Sequence, residues 1–232
     1  MNSFRHDYRV IVIGAGGAIG SAFVAALEAD PKCQVVSAVG RSTDPAIDFD
    51  QPDTIEDAAS QLQPQAPFDL IIDATGLLHE GATQPEKSLR HLEADNLERL
   101  FRINTVGPAL LLRHFTPLLP RKERGVFASL SARVGSIGDN RLGGWYGYRA
   151  SKAALNMMIK SASIELSRSR PHSVCLALHP GTVISPLSDP FSGDRDRFTP
   201  QECAENLLSV IDMSGPEKTG QFLAYDGSTI DW

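Results

Sequence analysis

A tyrosine and a lysine stand four residues apart in the stretch WYGYRASKAALNMM, residues 145–158, which is otherwise rich in alanine and typical of a buried helix. Tyr148 and Lys152 would therefore share one face of that helix. A free phenol has a pKa of about 10 and transfers protons poorly at neutral pH, but a neighbouring ammonium group favours the phenolate. The spacing indicates that Tyr148 is a proton-transfer group tuned by Lys152, although chance also produces such pairs.

Four glycines follow the first apolar run of the chain, in the segment GAGGAIGSAF, residues 14–23. Glycine allows a tight turn and lets backbone N–H groups at the start of a helix approach a pyrophosphate. The spacing departs from strict G-x-G-x-x-G and matches G-x-x-x-G-x-G, with Ala18 at the middle position. A dinucleotide site is the preferred interpretation, and a tight turn without a ligand is the alternative. The residues expected at the cofactor are Gly14, Gly16, Gly17, Ala18, Ile19 and Gly20.

The end of the second apolar run, VGRS at residues 39–42, indicates which dinucleotide is bound. A NAD site usually has an acidic residue there to hold the ribose hydroxyls, and this turn has none. Arg41 offers a planar fork suited to a 2′-phosphate, although a solvated surface arginine is the alternative. The sequence therefore favours NADP(H), with NAD(H) possible. Asp48 and Phe49, which follow in the segment DFD, are expected to border the adenine ring.

Short apolar runs alternate with helical segments along the chain. Because the runs are nearly continuous in apolar residues, they are typical of strands covered on both faces of a parallel sheet. We predict strands at residues 8–14, 34–40, 68–76, 125–131, 173–181 and 220–227, with one more short strand at 46–50. We predict helices at residues 18–28, 54–62, 94–119, 145–167 and 200–211. The alternation predicts an α/β fold, a doubly wound parallel sheet with helices on both faces, in a single domain over residues 1–232. Ligands of such sheets bind at the carboxyl ends of the strands.

Composition narrows the class of partner. The 232 residues carry a net charge of −6, which argues against a nucleic acid or an acidic membrane surface and favours a small molecule. No apolar run approaches the length of a membrane span. The three cysteines are an odd count without metal spacing, and the histidines form no metal set, so we expect a reduced, cytoplasmic protein with no metal site.

Five segments occur in the order and approximate spacing of one known family. They are GAGGAIG, FRINTVGP (101–108), SLSARVGSI (129–137), YGYRASKAALN and HPGTVISP (179–186). In these segments the chain resembles the short-chain dehydrogenase/reductase family, and within it the small C-factor-like and carbonyl-reductase-like members. The resemblance covers nearly the whole chain and implies a Rossmann-type sheet. The motifs are specific for the family but not for a substrate.

The resemblance implies a role for each of several residues. Tyr148 would donate a proton to a carbonyl oxygen while hydride arrives from the nicotinamide, and Lys152 would bind the ribose hydroxyls and lower the pKa of the phenol. Asn104 would hold a water that relays the proton, with a helix-bending polar residue as the alternative. The nicotinamide would be edged by residues after the last main strand, in a segment that otherwise reads as a turn. These residues are Pro180, Gly181, Thr182, Val183 and Ser185.

Two positions depart from the family pattern. In the family, the serine that orients the carbonyl usually stands three residues before a glycine. Here the residue three before Gly135 is Ala132, which has no hydroxyl, and Ser131 lies next to it. Because one step along a strand reverses the side-chain direction, Ser131 would need a bulge or a shift to reach a substrate. We prefer Ser131, with Ser129 and Ser136 as alternatives.

The second departure is DATG at residues 73–76 in place of the usual NNAG. Ala74, Thr75 and Gly76 would still border the cofactor, with Gly76 bringing backbone close to the ribose. Asp73 is expected to change how this strand is tied to its neighbour.

These features predict an oxidoreductase that moves hydride between NADP(H) and a carbonyl or alcohol substrate. The alternative is a dinucleotide-binding regulatory or signalling protein on the same fold, which fold analogy alone does not exclude. The polar segment 185–200 is expected to be a substrate-binding loop. Arg133 and Arg149 are expected to belong to a solvated face, with attraction of an anionic substrate as the alternative. By resemblance, we also expect a homodimer or homotetramer formed through the long helices.

Overall fold

The structure is a computed structural model and describes residues 1–81, 83–191 and 196–232. In these parts of the chain, one sheet of six parallel strands has the order β2-β1-β3-β4-β5-β6. The strands are β1 (Tyr8–Ile13), β2 (Cys33–Val39), β3 (Leu70–Asp73), β4 (Gly125–Leu130), β5 (Ser173–His179) and β6 (Gln221–Ala224). The predicted doubly wound sheet is confirmed. The extra strand expected at 46–50 is not formed, because this segment makes only isolated bridges, Gly40 with Ala46 and Asp48 with Gln51.

Six α-helices in the described residues cover the two faces of the sheet. They are α1 (Ala18–Glu28), α2 (Asp53–Leu62), α3 (Ala94–Phe101), α4 (Gly107–Phe115), α5 (Tyr146–Ser169) and α6 (Pro200–Asp212). Successive side chains of a strand point to opposite faces. Val10 and Val12 therefore pack with α1 and α6, whereas Ile11 and Ile13 pack with α2, α4 and α5. The nearly continuous apolar strands reflect this burial on both faces.

The single helix expected at 94–119 is divided into two. A π-helical turn, Arg102–Val106, separates α3 from α4, and a 3-10 turn, Thr116–Leu118, follows α4. Pro108 has no N–H to donate to the carbonyl of Asn104, four residues earlier, which favours a wider turn at this point. The widened turn lies directly opposite the loop after β3, where Asn104 makes its contacts.

The start of α5 is held by a residue that lies far away in the sequence. Trp145 precedes the helix in a left-handed conformation, with φ 51°, and has no side-chain cap. The buried carboxylate of Glu86 accepts the N–H of Gly147 at 3.1 Å, and its backbone oxygen accepts the N–H of Trp145 at 2.6 Å. Asn96 donates to the same carboxylate at 2.9 Å. A carboxylate at a helix N-terminus is stabilising, so Glu86 fixes the first turn of α5, which carries Tyr148.

Two further findings concern membrane spans and the cysteines. None of the helices in the described ranges is long and apolar enough to cross a bilayer. The three cysteines are free thiols, and Cys175 and Cys203 are buried in the core.

Candidate active site

A cavity of about 450 Å³ lies at the carboxyl ends of β1, β2 and β3. We refer to it as the cofactor cavity. Most of the residues predicted to bind a dinucleotide lie on its wall. Those residues are Gly14, Gly16, Gly17, Arg41, Asp48, Phe49, Ala74, Thr75 and Gly76. The fold therefore brings residues from four separate segments of the chain to the wall of one cavity.

The glycine turn fits a pyrophosphate. A side chain at Gly16 would meet nothing within 4 Å, so the space in front of this residue is open. Gly17 begins α1 without a side-chain cap, which leaves the first N–H groups of the helix available to an anion. Gly14 has φ 82°, a conformation that favours glycine. The turn thus offers both space and unpaired donors to a phosphate group.

Three residues of the glycine segment lie outside this wall. Gly20 is buried, and a Cβ there would lie 2.1 Å from the carbonyl oxygen of Gly14, so it supports the turn from below. Ala18 lines a surface depression between α1 and α6. Ile19 lines the neighbouring cavity, described below.

The electrostatics of the cofactor cavity leave Arg41 without a carboxylate of its own. Three acidic residues, Asp48, Asp50 and Glu80, share the wall. The guanidinium of Arg99 pairs with two of them, donating to Glu80 at 2.9 Å and to Asp50 at 2.6 Å, and the carboxylate of Asp48 accepts the backbone N–H of Asp50. The hydrogen bond from Arg99 lowers the pKa of Glu80. Arg41 is exposed and makes no ion pair among the described residues. It is therefore free to meet an anion such as a 2′-phosphate.

Phe49 lines the cofactor cavity and also belongs to the hydrophobic core. Its ring is part of the core and lies under α4, where a Cβ at Gly107 would be 2.4 Å from the ring. Asp48 accepts the N–H of Asp50 at 2.9 Å and thereby shapes the turn. Both residues line the cavity, but the Phe49 side chain is anchored in the core.

A second cavity, of about 380 Å³, lies beside the first at the ends of β4 and β5 and the start of α5. We refer to it as the substrate cavity. Tyr148 and Ser131 line it, together with residues predicted to edge the nicotinamide: Pro180, Gly181, Thr182, Val183 and Ser185. Residues 182–184 pair with Phe198, through Phe198 N–H to the oxygen of Thr182 and Ile184 N–H to the oxygen of Phe198, both at 2.9 Å. This pairing fixes the base of the segment 185–197; residues 192–195 of the expected loop lie outside the described residues.

Burial dominates the pKa values of the tyrosine and lysine pair. Tyr148 is 9% exposed, and loss of contact with water raises the pKa of its phenol. This is opposite to the direction expected from the pair alone, because burial disfavours the phenolate. Burial also lowers the pKa of Lys152 to about 8, against an opposing effect of the Asp73 carboxylate. Tyr148 is therefore a neutral phenol, the form that can donate a proton.

Lys152 and Asn104 meet at Gly76, between the two cavities. A Cβ at Gly76 would lie 3.5 Å from Lys152 Nζ and 3.7 Å from Asn104 Oδ1. Lys152 Nζ donates to the carbonyl of Leu130 at 2.9 Å. Asn104 accepts the N–H of Leu77 and donates to its carbonyl, both at 2.8 Å. Because the Asn104 amide is fully engaged, any water at this position would depend on backbone oxygens.

Ser131 lies on the wall of the substrate cavity, unlike the two alternative serines. Its hydroxyl donates to Asn156 Oδ1 at 2.6 Å. Ser129 donates to Asp73, and Ser136 accepts the N–H of Asp139, so both are engaged elsewhere. The bulge that we expected is absent, since β4 pairs with β5 in continuous register up to Leu130. Ser131 reaches the cavity because alternation along β4 places it on the face that packs against α5.

Asp73 ties β3 to β4, in agreement with the expectation that it alters this link. Its carboxylate accepts the hydroxyl of Ser129 at 2.6 Å, the hydroxyl of Thr75 at 2.6 Å and the N–H of Thr75 at 3.0 Å. Burial raises the pKa of Asp73, and these hydrogen bonds act in the opposite direction. Within the described residues, no group of three His, Cys, Asp or Glu side chains is arranged to hold a metal ion.

The substrate cavity is also lined by His179, which the sequence indicated to be structural, and by Trp145, for which the sequence left pocket lining and core packing open. His179 accepts the N–H of Arg133 at Nδ1, at 3.2 Å, and burial lowers its pKa to about 4, so the ring is neutral at pH 7. Trp145 packs edge-on against Phe191 at 5.4 Å and forms an apolar wall with Leu78. The signal for His179 was its position directly before Pro180 and Gly181, but a lone histidine suggested a structural residue.

Comparison with known proteins agrees with this geometry. The model of the short chain dehydrogenase family matches residues 8–195. The 1-hydroxy-2-glutathionyl-2-methyl-3-butene dehydrogenase of Rhodococcus sp. (strain AD45) is 32% identical over 197 residues, covering 85% of this chain and 83% of that protein. C-signal of Myxococcus xanthus is 36% identical over 150 residues, covering 62% of this chain and 84% of that protein. The NADPH-bound carbonyl reductase from chicken fatty liver has the same fold, with a TM-score of 0.84, 23% identity, and coverage of 99% of this chain and 100% of that one.

The parallel sheet and its glycine turn define a Rossmann-type fold, which this chain shares with the carbonyl reductase from chicken fatty liver. The chain belongs to the short-chain dehydrogenase family, which confirms the resemblance found in the sequence.

Proposed function

We propose that the protein is an NADP(H)-dependent oxidoreductase that transfers hydride between the nicotinamide and a carbonyl or alcohol substrate. The observation that carries this proposal is the placement of the first turns of α5. Tyr148 lies on the wall of the substrate cavity, and Lys152, one turn later, is buried next to Gly76, a residue that lines the cofactor cavity. One helix therefore supplies a proton donor to one cavity and a cation to the other.

Four residues of the chain have separate roles in the proposed reaction. NADPH, when bound, supplies the hydride. On substrate binding the Ser131 hydroxyl turns from Asn156 and donates to the carbonyl oxygen, and Tyr148 donates its proton to that oxygen as negative charge develops there. Lys152 lies where the ribose is expected and favours the phenolate that Tyr148 becomes. Asn104 holds the loop after β3 against α5, and through it the position of Gly76.

A preference for NADP(H) over NAD(H) rests on Arg41. It is an exposed cation on the wall of the cofactor cavity and makes no ion pair among the described residues, and two of the three carboxylates on that wall, Asp50 and Glu80, are paired with Arg99. An acidic residue that would hold ribose hydroxyls does not follow β2. The NADPH-bound carbonyl reductase with the same fold supports this preference.

The relatives support both the proposal and its alternative. The Rhodococcus protein is, by its name, a dehydrogenase of a hydroxylated compound, which favours chemistry between an alcohol and a carbonyl. C-signal of Myxococcus xanthus favours the alternative, a dinucleotide-binding signalling protein. A pure sensor has no use for a buried phenol on the wall of a second cavity, so the geometry favours an enzyme.

The test is NADPH oxidation, followed by absorbance, across aldehydes, ketones and diketones. Tyr148→Phe is expected to lower kcat by about 10²- to 10⁴-fold while NADPH still binds. Tyr146→Phe is the matched control, since Tyr146 lies in the same helical turn but on neither cavity wall. Equal rates in the wild type and Tyr148→Phe would exclude the mechanism. NADPH binding without turnover of any compound would favour the signalling alternative.

We also propose that the protein is cytoplasmic and forms a homodimer or homotetramer through α4 and α5. Three apolar side chains of α5 are exposed, Met157 at 64%, Met158 at 42% and Ile164 at 48%. Burying such a surface is the usual reason for association. Sedimentation of the wild type and of Met157→Glu tests the proposal: a monomer in the variant alone supports it, and a monomeric wild type excludes it.

A further inference from the structure

The wall of the substrate cavity carries more positive charge than the chain as a whole. Three arginines line it, Arg133, Arg141 and Arg149, and among the described residues Asp139 is the one acidic side chain on the wall. His179 adds no charge at pH 7, because burial lowers its pKa to about 4. The chain itself has a net charge of −6. The cavity is thus a local positive site in an acidic protein, which attracts anions.

Arg149 is held in place without a counter-ion. Its Nε donates to the carbonyl of Gly144 at 2.9 Å, and Nη1 donates to the carbonyl of Val134 at 3.3 Å. No carboxylate pairs with it in the described parts of the chain, and burial lowers its pKa. A half-buried guanidinium without a carboxylate is costly to keep. Its Nη2 group carries two further N–H donors beside the cavity.

The other two arginines differ in how far they are neutralised. Arg133 lies 3.3 Å from Asp139, so part of its charge is already matched. Arg141 is exposed on the cavity wall, and within the described ranges it makes no ion pair. Among the described residues of the wall, Arg141 and Arg149 are therefore the two cations available to a ligand.

The floor and the mouth of the substrate cavity suit different chemical groups of one ligand. Tyr148 and Ser131 on the floor suit a carbonyl or hydroxyl group, and the walls formed by Trp145, Leu78 and Phe191 are apolar. Two guanidinium groups suit a carboxylate, which they bind through paired, charge-assisted hydrogen bonds.

We propose that the substrate carries a carboxylate, separated from its carbonyl or hydroxyl carbon by an apolar spacer, and that Arg141 and Arg149 bind this carboxylate. The inference rests on the proposed function, since it assigns the substrate class of the same cavity.

The experiment compares two aldehydes that differ in one charge, 4-carboxybenzaldehyde and methyl 4-formylbenzoate, with NADPH as the reductant. We expect the KM of the acid to be at least about 10-fold below that of the ester, with similar kcat, because the acid alone forms charge-assisted hydrogen bonds with the guanidinium groups. Arg141→Gln should raise the KM of the acid by about 10-fold and leave that of the ester unchanged. Arg168→Gln, at the far end of α5, is the control and should change neither.

The outcomes separate this inference from the proposed function. Reduction of both aldehydes with equal KM would overturn the inference and leave the function standing. If neither aldehyde is reduced, calorimetry with terephthalate, which needs no turnover, decides the inference. Binding to the wild type that is lost in Arg141→Gln supports it, and absent or unchanged binding overturns it. Arg149→Lys keeps a charge near Gly144 and, if folded, should show an intermediate affinity.

Discussion

The two cavities lie side by side but are built in different ways. The cofactor cavity is formed mainly by backbone, from a glycine turn, the start of α1 and the turn after β3, with Arg41 as its principal charged contact. The substrate cavity is formed by side chains that come from five segments, and its chemical groups are Tyr148, Ser131 and the arginines. The difference indicates that the first cavity is set by chain conformation and the second by side-chain identity.

The largest effect is expected where backbone forms the cofactor cavity. Gly20→Ala would put a Cβ 2.1 Å from the Gly14 oxygen, so the turn must move. We expect the free energy of unfolding to fall by about 3 kcal/mol, at the upper end of overpacking costs, as measured by urea denaturation.

Gly16→Ala is the matched control for that substitution. Its Cβ meets nothing within 4 Å, so stability should be kept, while NADPH binding weakens because the added methyl group occupies the open space. Loss of stability in both variants would contradict a backbone-built cavity that is open in front of Gly16.

A similar energy is expected from the titration of Lys152, which lies between the cavities. Its pKa is about 8 in the folded protein against 10.5 as the ordinary value, so between these pH values the unfolded chain holds a proton that the folded protein does not. Stability contributed by this group therefore rises with pH across that interval. The free energy of unfolding of the wild type, relative to Lys152→Met, should increase by about 3 kcal/mol, as measured by urea denaturation at each pH.

Lys87→Met, at an exposed position, corrects for effects common to surface lysines. A difference between wild type and Lys152→Met that stays flat across the interval would show that the folded protein keeps this lysine charged.

Arg41→Gln tests the one cation that the cofactor cavity offers to a 2′-phosphate. We expect the KM of NADPH to rise by about 10- to 100-fold, because a charge-assisted hydrogen bond is removed. Since NADH lacks the phosphate, its KM serves as the internal control and should not change. An equal loss for both cofactors would mean that Arg41 shapes the turn after β2 instead of binding phosphate.

The smallest effect is expected at a residue that acts through another. Asn156 accepts the hydroxyl of Ser131 at 2.6 Å and so fixes the position of the Ser131 oxygen on the wall of the substrate cavity. Asn156→Ala should lower kcat by about 10-fold, equivalent to one neutral hydrogen bond, with the KM of NADPH unchanged.

The same substitution in a Ser131→Ala background should have no further effect on kcat, because coupled residues are not additive. Independent losses from the two substitutions would show that Asn156 only supports the fold.

The sequence predicted the sheet, the glycine turn and the tyrosine and lysine pair because local spacing carries that information. Strand limits were extended by one to three residues at several ends, since apolar runs continue into turns; β3 begins at Leu70, not at residue 68. The substrate cavity was harder to predict. Glu86 reaches Gly147 across 61 residues, and no local pattern connects them.

The direction of the Tyr148 pKa could not be obtained from the sequence either. Spacing showed a nearby ammonium group, but burial, which raises this pKa, depends on how β4, α5 and the loop after β3 close around the phenol. Ser131, the preferred carbonyl-orienting serine, lines the substrate cavity without the bulge expected from the sequence, and its role stays a prediction.

The π-helical turn at Arg102–Val106 makes this part of the chain sensitive to changes in length. Each residue of an α-helix turns the chain by about 100°, and a π turn holds one residue more than an α turn. A one-residue deletion here would allow a continuous helix, yet it would rotate α3 against α4 by that angle and turn Asn104 away from Leu77. The segment should therefore accept many substitutions but no insertion or deletion.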